Sequence, residues 1–359
     1  MKNHISIILV LMLMLPAGCH HQDTGKLIGV KIYDYRGDYR DLVSLWAKMG
    51  INTAFVSDSL AKVDEFRKML SKKGIKVFII FPVFQDPEAL KEDSSLFAIT
   101  NRGTIARDDW VEFVCPSRST FREGKIKEAV SLVRRLDPDG LSIDFIRAFV
   151  YWERVYPEHD PGSMDITCFC DSCINGFLDR EQIGLPGTGM SAAEKATYIL
   201  ENHVAAWDNY RTGMIATLIN DIVQRCKKMK PNLECAVHAV PWRNGDYNGA
   251  AIHVAAQDLK KIAASVDYIS PMCYSQMLRR DAGWISSVVA DMDERAPGMI
   301  LPSIQVYPWY IDRPFSADDF RKCLQEALKP PSRGVVFWSW PLFEKDSSRM
   351  DIVKLMIQD

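Results

Sequence analysis

Eight short apolar runs, separated by helical patterns, constrain the fold of this chain more than any other feature. Each run is rich in apolar residues and lacks the alternation of a half-exposed strand, which is typical of parallel strands buried on both faces. The runs are Leu27–Tyr33, Ile51–Ser57, Ile75–Pro82, Gly140–Phe145, Leu233–Val240, Val266–Tyr274, Met299–Tyr307 and Gly334–Trp340. Eight strands alternating with helices predict an α/β chain folded as a (β/α)8 TIM barrel. An open doubly wound sheet is the alternative, but no Gly-x-Gly-x-x-Gly follows the first run.

The segments between the runs have the spacing of amphipathic helices. They are Tyr39–Met49, Ala61–Ser71, Phe121–Leu136, Ala205–Met229, Gln257–Ala264, Trp284–Arg295 and Ala317–Leu328. The 359 residues suffice for one such barrel. The 44 lysines and arginines are balanced by 46 aspartates and glutamates, and this balance argues against a nucleic-acid partner.

The first eighteen residues have the pattern of an export signal. A basic start is followed by an apolar run from Ile5 to Leu15, which is too short for a membrane span of about 20 residues. The small residues before Cys19 resemble a bacterial lipoprotein signal, and a plain secretory signal is the alternative. The resemblance implies a signal peptide over 1–18, lipidation of Cys19, a tether over 19–26 and a barrel over 27–359. It also implies an extracytoplasmic protein anchored to a membrane, in the periplasm or at the cell surface.

One spacing departs from the regular alternation. The fourth run ends near Phe145 and the fifth begins near Leu233, about ninety residues later, whereas a loop and a helix need about half that length. We therefore expect an insertion at about 148–204 in the loop after strand four. Loops at this end of the strands carry the chemistry of barrel enzymes.

Three of the nine cysteines, Cys168, Cys170 and Cys173, lie within six residues. Three thiols so close in sequence cannot all pair with one another, but they can surround one tetrahedral Zn²⁺. Cys115, after the third run, is the candidate for the fourth ligand of a closed, structural site with four cysteine ligands. A disulfide between Cys115 and one cysteine of the cluster is the alternative.

The arrangement of these cysteines resembles the zinc cluster of family 42 β-galactosidases. The matching residues are Cys115-Pro116 with the nearby Phe121-Arg122, and Cys168, Cys170 and Cys173 followed by Phe177. The resemblance covers about sixty residues and implies a glycoside hydrolase barrel.

The end of strand four carries the first catalytic candidate, Asp144, with Arg147 three residues later. A carboxylate here faces the mouth of a barrel, and a nearby guanidinium favours its ionised form. The string Asp-Gly-x-x-x-Asp-x-x-Arg resembles the hypothetical glycosyl hydrolase families of bacterial lipoproteins, as does the Ser-Pro-Met-Cys-Tyr string that ends at Tyr274. A purely structural ion pair between Asp144 and Arg147 is the alternative.

Glycoside hydrolysis needs a second carboxyl group. Glu153, among aromatic residues in the loop after Asp144, is our first candidate, ahead of Asp246 and Glu344. Strand seven ends with Gln305, which cannot act as a nucleophile, so the acid pair of the family 42 enzymes is not carried over.

Aromatic and polar residues collect at the predicted strand ends. Flat side chains stack on the apolar faces of sugar rings, and polar groups bind the hydroxyls. The predicted substrate-binding residues are Arg147, Trp152, His238, Trp242, Tyr274, Gln305, Trp309, Trp338 and Trp340.

These features predict an extracytoplasmic glycoside hydrolase acting on a polysaccharide or glycan, with no cofactor in catalysis. A glycan-binding lipoprotein that has the barrel without catalysis is the alternative, because of Gln305. A metal-dependent deacetylase is disfavoured, since the seven histidines form no His-x-His or His-x-x-x-His pair.

Overall fold

The computed structural model describes residues 25–358, and eight of its strands form one parallel sheet that is curled into a barrel. The predicted (β/α)8 barrel is therefore confirmed. The barrel strands are β1 (Leu27–Ile32), β2 (Thr53–Val56), β3 (Lys76–Pro82), β6 (Gly140–Asp144), β7 (Glu234–Ala239), β8 (Tyr268–Pro271), β9 (Ser303–Gln305) and β10 (Gly334–Trp338). Two further strands, β4 (Arg107–Asp108) and β5 (Val111–Glu112), form a small antiparallel hairpin outside the barrel.

The sheet closes between β8 and β9. The hydrogen-bonded order runs β8-β7-β6-β3-β2-β1-β10-β9, and isolated parallel bridges join Ile269 to Ile300 and Met272 to Ser303. Closure places all eight carboxyl ends at one mouth, and side chains that follow distant strands in the sequence meet there.

The helices surround the barrel and cover its outer face. In the described part of the chain they are α1 (Tyr39–Lys48), α2 (Asp58–Ala61), α3 (Asp64–Lys72), α4 (Pro87–Glu92), α5 (Ser119–Leu136), α6 (Asp171–Glu181), α7 (Ala192–Asn202), α8 (Val204–Met229), α9 (Ala250–His253), α10 (Leu259–Ala263), α11 (Gly283–Asp293), α12 (Ala317–Leu328), α13 (Trp340–Phe343) and α14 (Ser347–Gln358). Their buried apolar faces, such as Leu42, Val43 and Trp46 of α1, pack on the sheet. The strands are buried on both faces, as their continuous apolar sequences predicted.

The barrel strands are shorter than the predicted runs, at both ends. The run predicted over Met299–Tyr307 contains only Ser303–Gln305 as strand, and Val266–Tyr274 contains Tyr268–Pro271. Several of the remaining apolar residues, such as Ile300, Leu301 and Tyr274, are buried in the segments that flank the strands.

Two loops at the carboxyl ends are elaborated. Residues 145–203, between β6 and α8, carry α6 and α7 together with two 3-10 turns, Trp152–Arg154 and Pro161–Ser163. Residues 83–118, between β3 and α5, carry α4 and the β4–β5 hairpin, which no sequence pattern predicted.

The amino-terminal predictions lie outside the described residues. They are the signal peptide over 1–18, the lipidation of Cys19 and most of the tether over 19–26. Among residues 25–358, no helix is both long enough and apolar enough to cross a membrane.

Candidate active site

A cavity of about 550 Å³ opens at the carboxyl ends of the barrel strands. Its size is typical of small-molecule sites, which range over roughly 300–1,000 Å³. It is lined by residues from most of the barrel strands or the loops that follow them, together with two side chains of α5. The lining residues are Lys31, Tyr33, Ser57, Asp58, Ile80, Phe81, Pro82, Gln85, Trp110, Glu128, Leu132, Asp144, Phe145, Arg147, Trp152, Glu153, Met272, Tyr274, Met277, Tyr310 and Trp338.

Asp144 is the last residue of β6, and its carboxylate lines this cavity. The backbone N–H of Phe145 donates to Asp144 Oδ1 over 2.7 Å, so this oxygen acts as a hydrogen-bond acceptor. The extended backbone of the strand ends here, since Phe145 has a positive φ of 49°.

Glu153 lies in the 3-10 turn Trp152–Arg154 and lines the same cavity. The residue is 8% exposed, and within residues 25–358 its Oε2 has no hydrogen-bond partner. Burial raises the pKa of Glu153 to about 7, against the opposing charge of Arg147. A carboxyl group in such surroundings is poised to hold a proton near neutral pH.

Arg147 is buried beside the two acids, and its Nη1 donates to the backbone oxygens of Ala148 and Val150 over 3.2 and 2.8 Å. Its guanidinium also lies over the ring of Phe113, with 4.8 Å to the centroid. Burial lowers the pKa of Arg147 to about 10, while the charges of Glu153 and Asp144 oppose this shift. Within the described residues no ion pair joins Arg147 to Asp144, so Arg147 fixes the loop after β6 and adds positive charge to the cavity.

Lys31, on β1, was not predicted at the site, because it lies inside an apolar run. Its Nζ is 3.1 Å from His238 Nδ1 and donates to Tyr274 Oη over 3.3 Å. Burial lowers the pKa of Lys31 to about 8, although the nearby Asp144 charge opposes the shift. The sequence pattern that could have identified Lys31 is a charged residue within an otherwise apolar strand.

Three predicted aromatic residues meet in the cavity. Tyr274 and Trp338 are stacked, with ring centroids 4.6 Å apart and 16° between the planes, and Trp152 lies 5.8 Å from Tyr274. The two stacked rings and the tilted ring of Trp152 line the cavity together with Asp144 and Glu153.

Two polar residues predicted to bind substrate, His238 and Gln305, do not line the cavity. His238 is 2% exposed and bonds to Lys31 and to Ser142 Oγ, 2.7 Å from its Nε2. Gln305 accepts from the Met277 N–H over 3.0 Å and donates to Gln276 and Tyr307. Both side chains are therefore engaged in internal contacts that stabilise the barrel mouth.

Three predicted tryptophans also lie away from the cavity. Trp340 is buried beside Trp46 and donates to Glu344 Oε1, and Trp242 is buried against Tyr247. Trp309 is 43% exposed and packs edge-on against Trp338 at 6.4 Å, one ring outside the cavity. Of the four tryptophans predicted on strands five, seven and eight, only Trp338 lines the cavity, because the others point into the core or outward from the mouth.

The four predicted cysteines Cys115, Cys168, Cys170 and Cys173 converge. All are buried, and their sulfurs lie within 4.8 Å of one another. Cys115 Sγ is 3.4 Å from Cys170 Sγ and 3.5 Å from Cys173 Sγ, well beyond a disulfide bond of about 2.05 Å. Four thiolates around one Zn²⁺ at about 2.3 Å would have sulfurs roughly 3.8 Å apart, so the cluster fits a tetrahedral metal.

The cysteine cluster is separate from the cavity and joins its two elaborated loops. Cys115 belongs to the segment after β5, Cys168 precedes α6, Cys170 is the residue before the first turn of α6, and Cys173 lies in that turn. The backbone N–H of Ile99 also donates to Cys168 Sγ over 3.3 Å. A metal here would be structural, since four protein ligands leave no open position.

Comparison with known proteins identifies the class of fold. No protein family model and no curated protein sequence matches the chain. The glycoside hydrolase domain of PgaB (BpsB) from Bordetella bronchiseptica superposes with a TM-score of 0.70 at 10% identity, covering 92% of this chain and 99% of that one. A β-galactosidase from the psychrophilic Marinomonas ef1 gives 0.69 at 12% identity, with 92% and 59% covered. A chitinase from Chromobacterium violaceum gives 0.55 at 11%, with 92% and 98% covered.

The chain therefore has a (β/α)8 barrel similar to those of glycoside hydrolases, including family 42 β-galactosidases. The predicted resemblance is confirmed for the fold and for the presence of the cysteine cluster. At 10–14% identity the superpositions assign no residue roles, and the roles of Asp144 and Glu153 stay predictions.

Proposed function

We propose that the protein is a glycoside hydrolase that acts on a polysaccharide or glycan in the cavity at the carboxyl ends of the barrel. One observation carries the proposal: Asp144 and Glu153 line the same cavity, beside the stacked rings of Tyr274 and Trp338. Glycosidases need one protonated and one ionised carboxyl group beside the scissile bond. The hydrolase barrels with similar folds support the same class of reaction.

The two acids differ in their surroundings, and this difference suggests their roles. Glu153, with its raised pKa and unpartnered Oε2, is the general acid that protonates the leaving oxygen. Asp144, which accepts the Phe145 N–H, is the ionised group that attacks the anomeric carbon or activates water. Arg147 and Lys31 add positive charge around both acids.

We also propose that the cysteine cluster binds one structural Zn²⁺ and that the protein is lipid-anchored through Cys19. The cluster geometry supports zinc, which would join the loop after β3 to the loop after β6. The anchor rests on the sequence pattern alone. Neither feature takes part in the proposed chemistry.

The proposal is tested by measuring released sugar from a panel of chitin, β-galactan, β-glucan and peptidoglycan oligosaccharides. Asp144→Asn should lower kcat by at least about 100-fold on every cleaved substrate. Glu153→Gln should lower kcat by a similar factor on natural oligosaccharides. It should lower kcat much less on aryl glycosides, whose leaving groups need little protonation.

Asp246→Asn is the matched control. Asp246 was a predicted alternative acid, but it is paired with Arg243 at 2.9 Å and lies outside the cavity, so its loss should leave kcat unchanged. Binding of a glycan by wild type without any turnover would instead identify the alternative, a non-catalytic glycan-binding barrel.

A further inference from the structure

We propose that Trp110 forms a sugar-binding subsite beyond the two sugars that flank the cleaved bond. The substrate would then be an oligosaccharide of more than two sugars. This inference rests on the proposed hydrolase function. It concerns a residue that follows no barrel strand directly and that sequence patterns did not identify. The position of the indole ring is set by the β4–β5 hairpin.

The hairpin presents Trp110 at its tip. Asp109, with a positive φ of 55°, and Trp110 form the turn between β4 and β5. Arg107 and Glu112 close the base of the hairpin with an ion pair of 2.7 Å. The tip reaches the cavity at the barrel mouth, where Trp110 is one of the lining residues.

The indole ring is held in place although it is 42% exposed. Its Nε1 donates to Tyr151 Oη over 2.9 Å, and its ring meets those of Tyr151 and Phe145 edge-on at 5.8 and 6.3 Å. A fixed aromatic surface loses little conformational entropy when a ligand stacks on it. Trp110 is therefore preorganised for stacking on a sugar ring.

The hairpin is attached to the loop that carries the proposed general acid. Arg154, the residue after Glu153, pairs with Asp109 at 2.7 Å and with Asp108 at 3.5 Å. Phe145, which contacts Trp110, is the residue after Asp144. The subsite is thus fixed relative to both carboxyl groups, as binding a sugar beyond the pair at the cleavage point requires.

Exposed aromatic side chains are concentrated at this mouth. Among residues 25–358, the exposed large aromatic residues are Tyr33, Trp110, Trp309 and Tyr310, and three of these line the cavity. Exposed apolar surface that is rimmed by polar groups marks a binding site. Because the rings are continuous with a cavity that holds two carboxyl groups, a sugar chain is the occupant they fit.

The inference is tested with oligosaccharides of two to six sugars from the panel series that wild type cleaves fastest. Trp110→Ala should lower kcat/KM about tenfold for the longest chains and leave the disaccharide or its aryl glycoside unchanged. Trp110→Phe, which keeps an aromatic face but loses the hydrogen bond to Tyr151, should retain most of the long-chain activity. Ile105→Ala, in the same loop and 46% exposed but outside the cavity, is the control that should match wild type.

An equal loss on short and long chains, or no loss on either, would overturn the subsite. A Trp110→Phe defect as large as that of Trp110→Ala would also overturn it, because the hydrogen bond rather than the ring face would then matter. If no series is cleaved, the proposed hydrolase activity fails separately. Calorimetric affinity for the same two- to six-sugar series then tests the subsite, and an affinity that does not rise with chain length in wild type contradicts it.

Discussion

The burial of Glu153 makes the stability of this protein depend on pH. Its pKa rises from 4.5 to about 7 on folding, so the folded protein holds a proton that the unfolded chain releases at lower pH. The free energy of unfolding should therefore fall as pH rises through this window. Between pH 5 and pH 8 wild type should lose on the order of 2–3 kcal/mol relative to Glu153→Gln, measured by urea unfolding.

Other titrating groups are common to wild type and Glu153→Gln, so they cancel in this comparison. Parallel stability curves for the two proteins would mean that Glu153 titrates in the folded state as it does in the unfolded chain.

The same proton sets the expected alkaline limb of the activity profile. Activity should fall as pH rises through about 7, because the proposed general acid Glu153 loses its proton there.

Gly140 is a residue at which the packing of the barrel floor tolerates no side chain. A Cβ at this position would lie 2.4–2.5 Å from three ring atoms of Phe78, which is itself packed against Phe55 and Tyr268. Gly140→Ala should therefore destabilise the protein by about 1–3 kcal/mol in urea unfolding. Gly124→Ala, in helix α5, is the control. A Cβ at this position would meet no heavy atom of a neighbouring side chain or segment within 4 Å, so the substitution should stabilise the protein by up to about 1 kcal/mol. Equal effects of the two substitutions would contradict this account.

At the scale of elements, the cysteine cluster joins helix α6 to the segment after β5. Removing the proposed zinc with a chelator should expose residues 83–118 and 145–203 to protease before any barrel strand unfolds.

Cys115→Ser should lower the bound zinc, measured by elemental analysis, from about one equivalent to near zero. Cys226→Ser, which changes a buried cysteine of α8 outside the cluster, should leave the zinc content unchanged. Purified protein without zinc, but with the same protease resistance, would contradict the metal site.

At the scale of the whole molecule, the start of strand β1 at Leu27 and the cavity lie at opposite ends of the barrel. If Cys19 carries a lipid, the cavity should face away from the membrane. We expect the full chain to partition into detergent and Cys19→Ser to remain in the aqueous phase, with equal rates of hydrolysis on a soluble glycan. Equal partitioning of both proteins would contradict the anchor, and slower hydrolysis by the anchored form would contradict the orientation.

The sequence by itself determined the barrel and the cysteine cluster. Parallel strands covered by helices are apolar along their whole length, so the eight runs were visible without any tertiary information. Three cysteines in six residues are equally local, and the fourth, Cys115, was found because it follows a strand. That Asp144 and Glu153 lie at the cavity could be predicted for a similar reason, since strand ends and the loops after them gather at one mouth.

The tertiary structure alone decided which side chains at that mouth face the cavity. Trp338 lines it while Trp340, two residues later, is buried against Trp46, although both tryptophans have the same signal in the sequence. Lys31 and Trp110 reach the cavity from an apolar strand and from an unanticipated hairpin. The physical reason is that the direction of a side chain at a barrel mouth depends on strand tilt, stagger and the path of each loop. Those quantities are fixed by contacts between segments far apart in the chain.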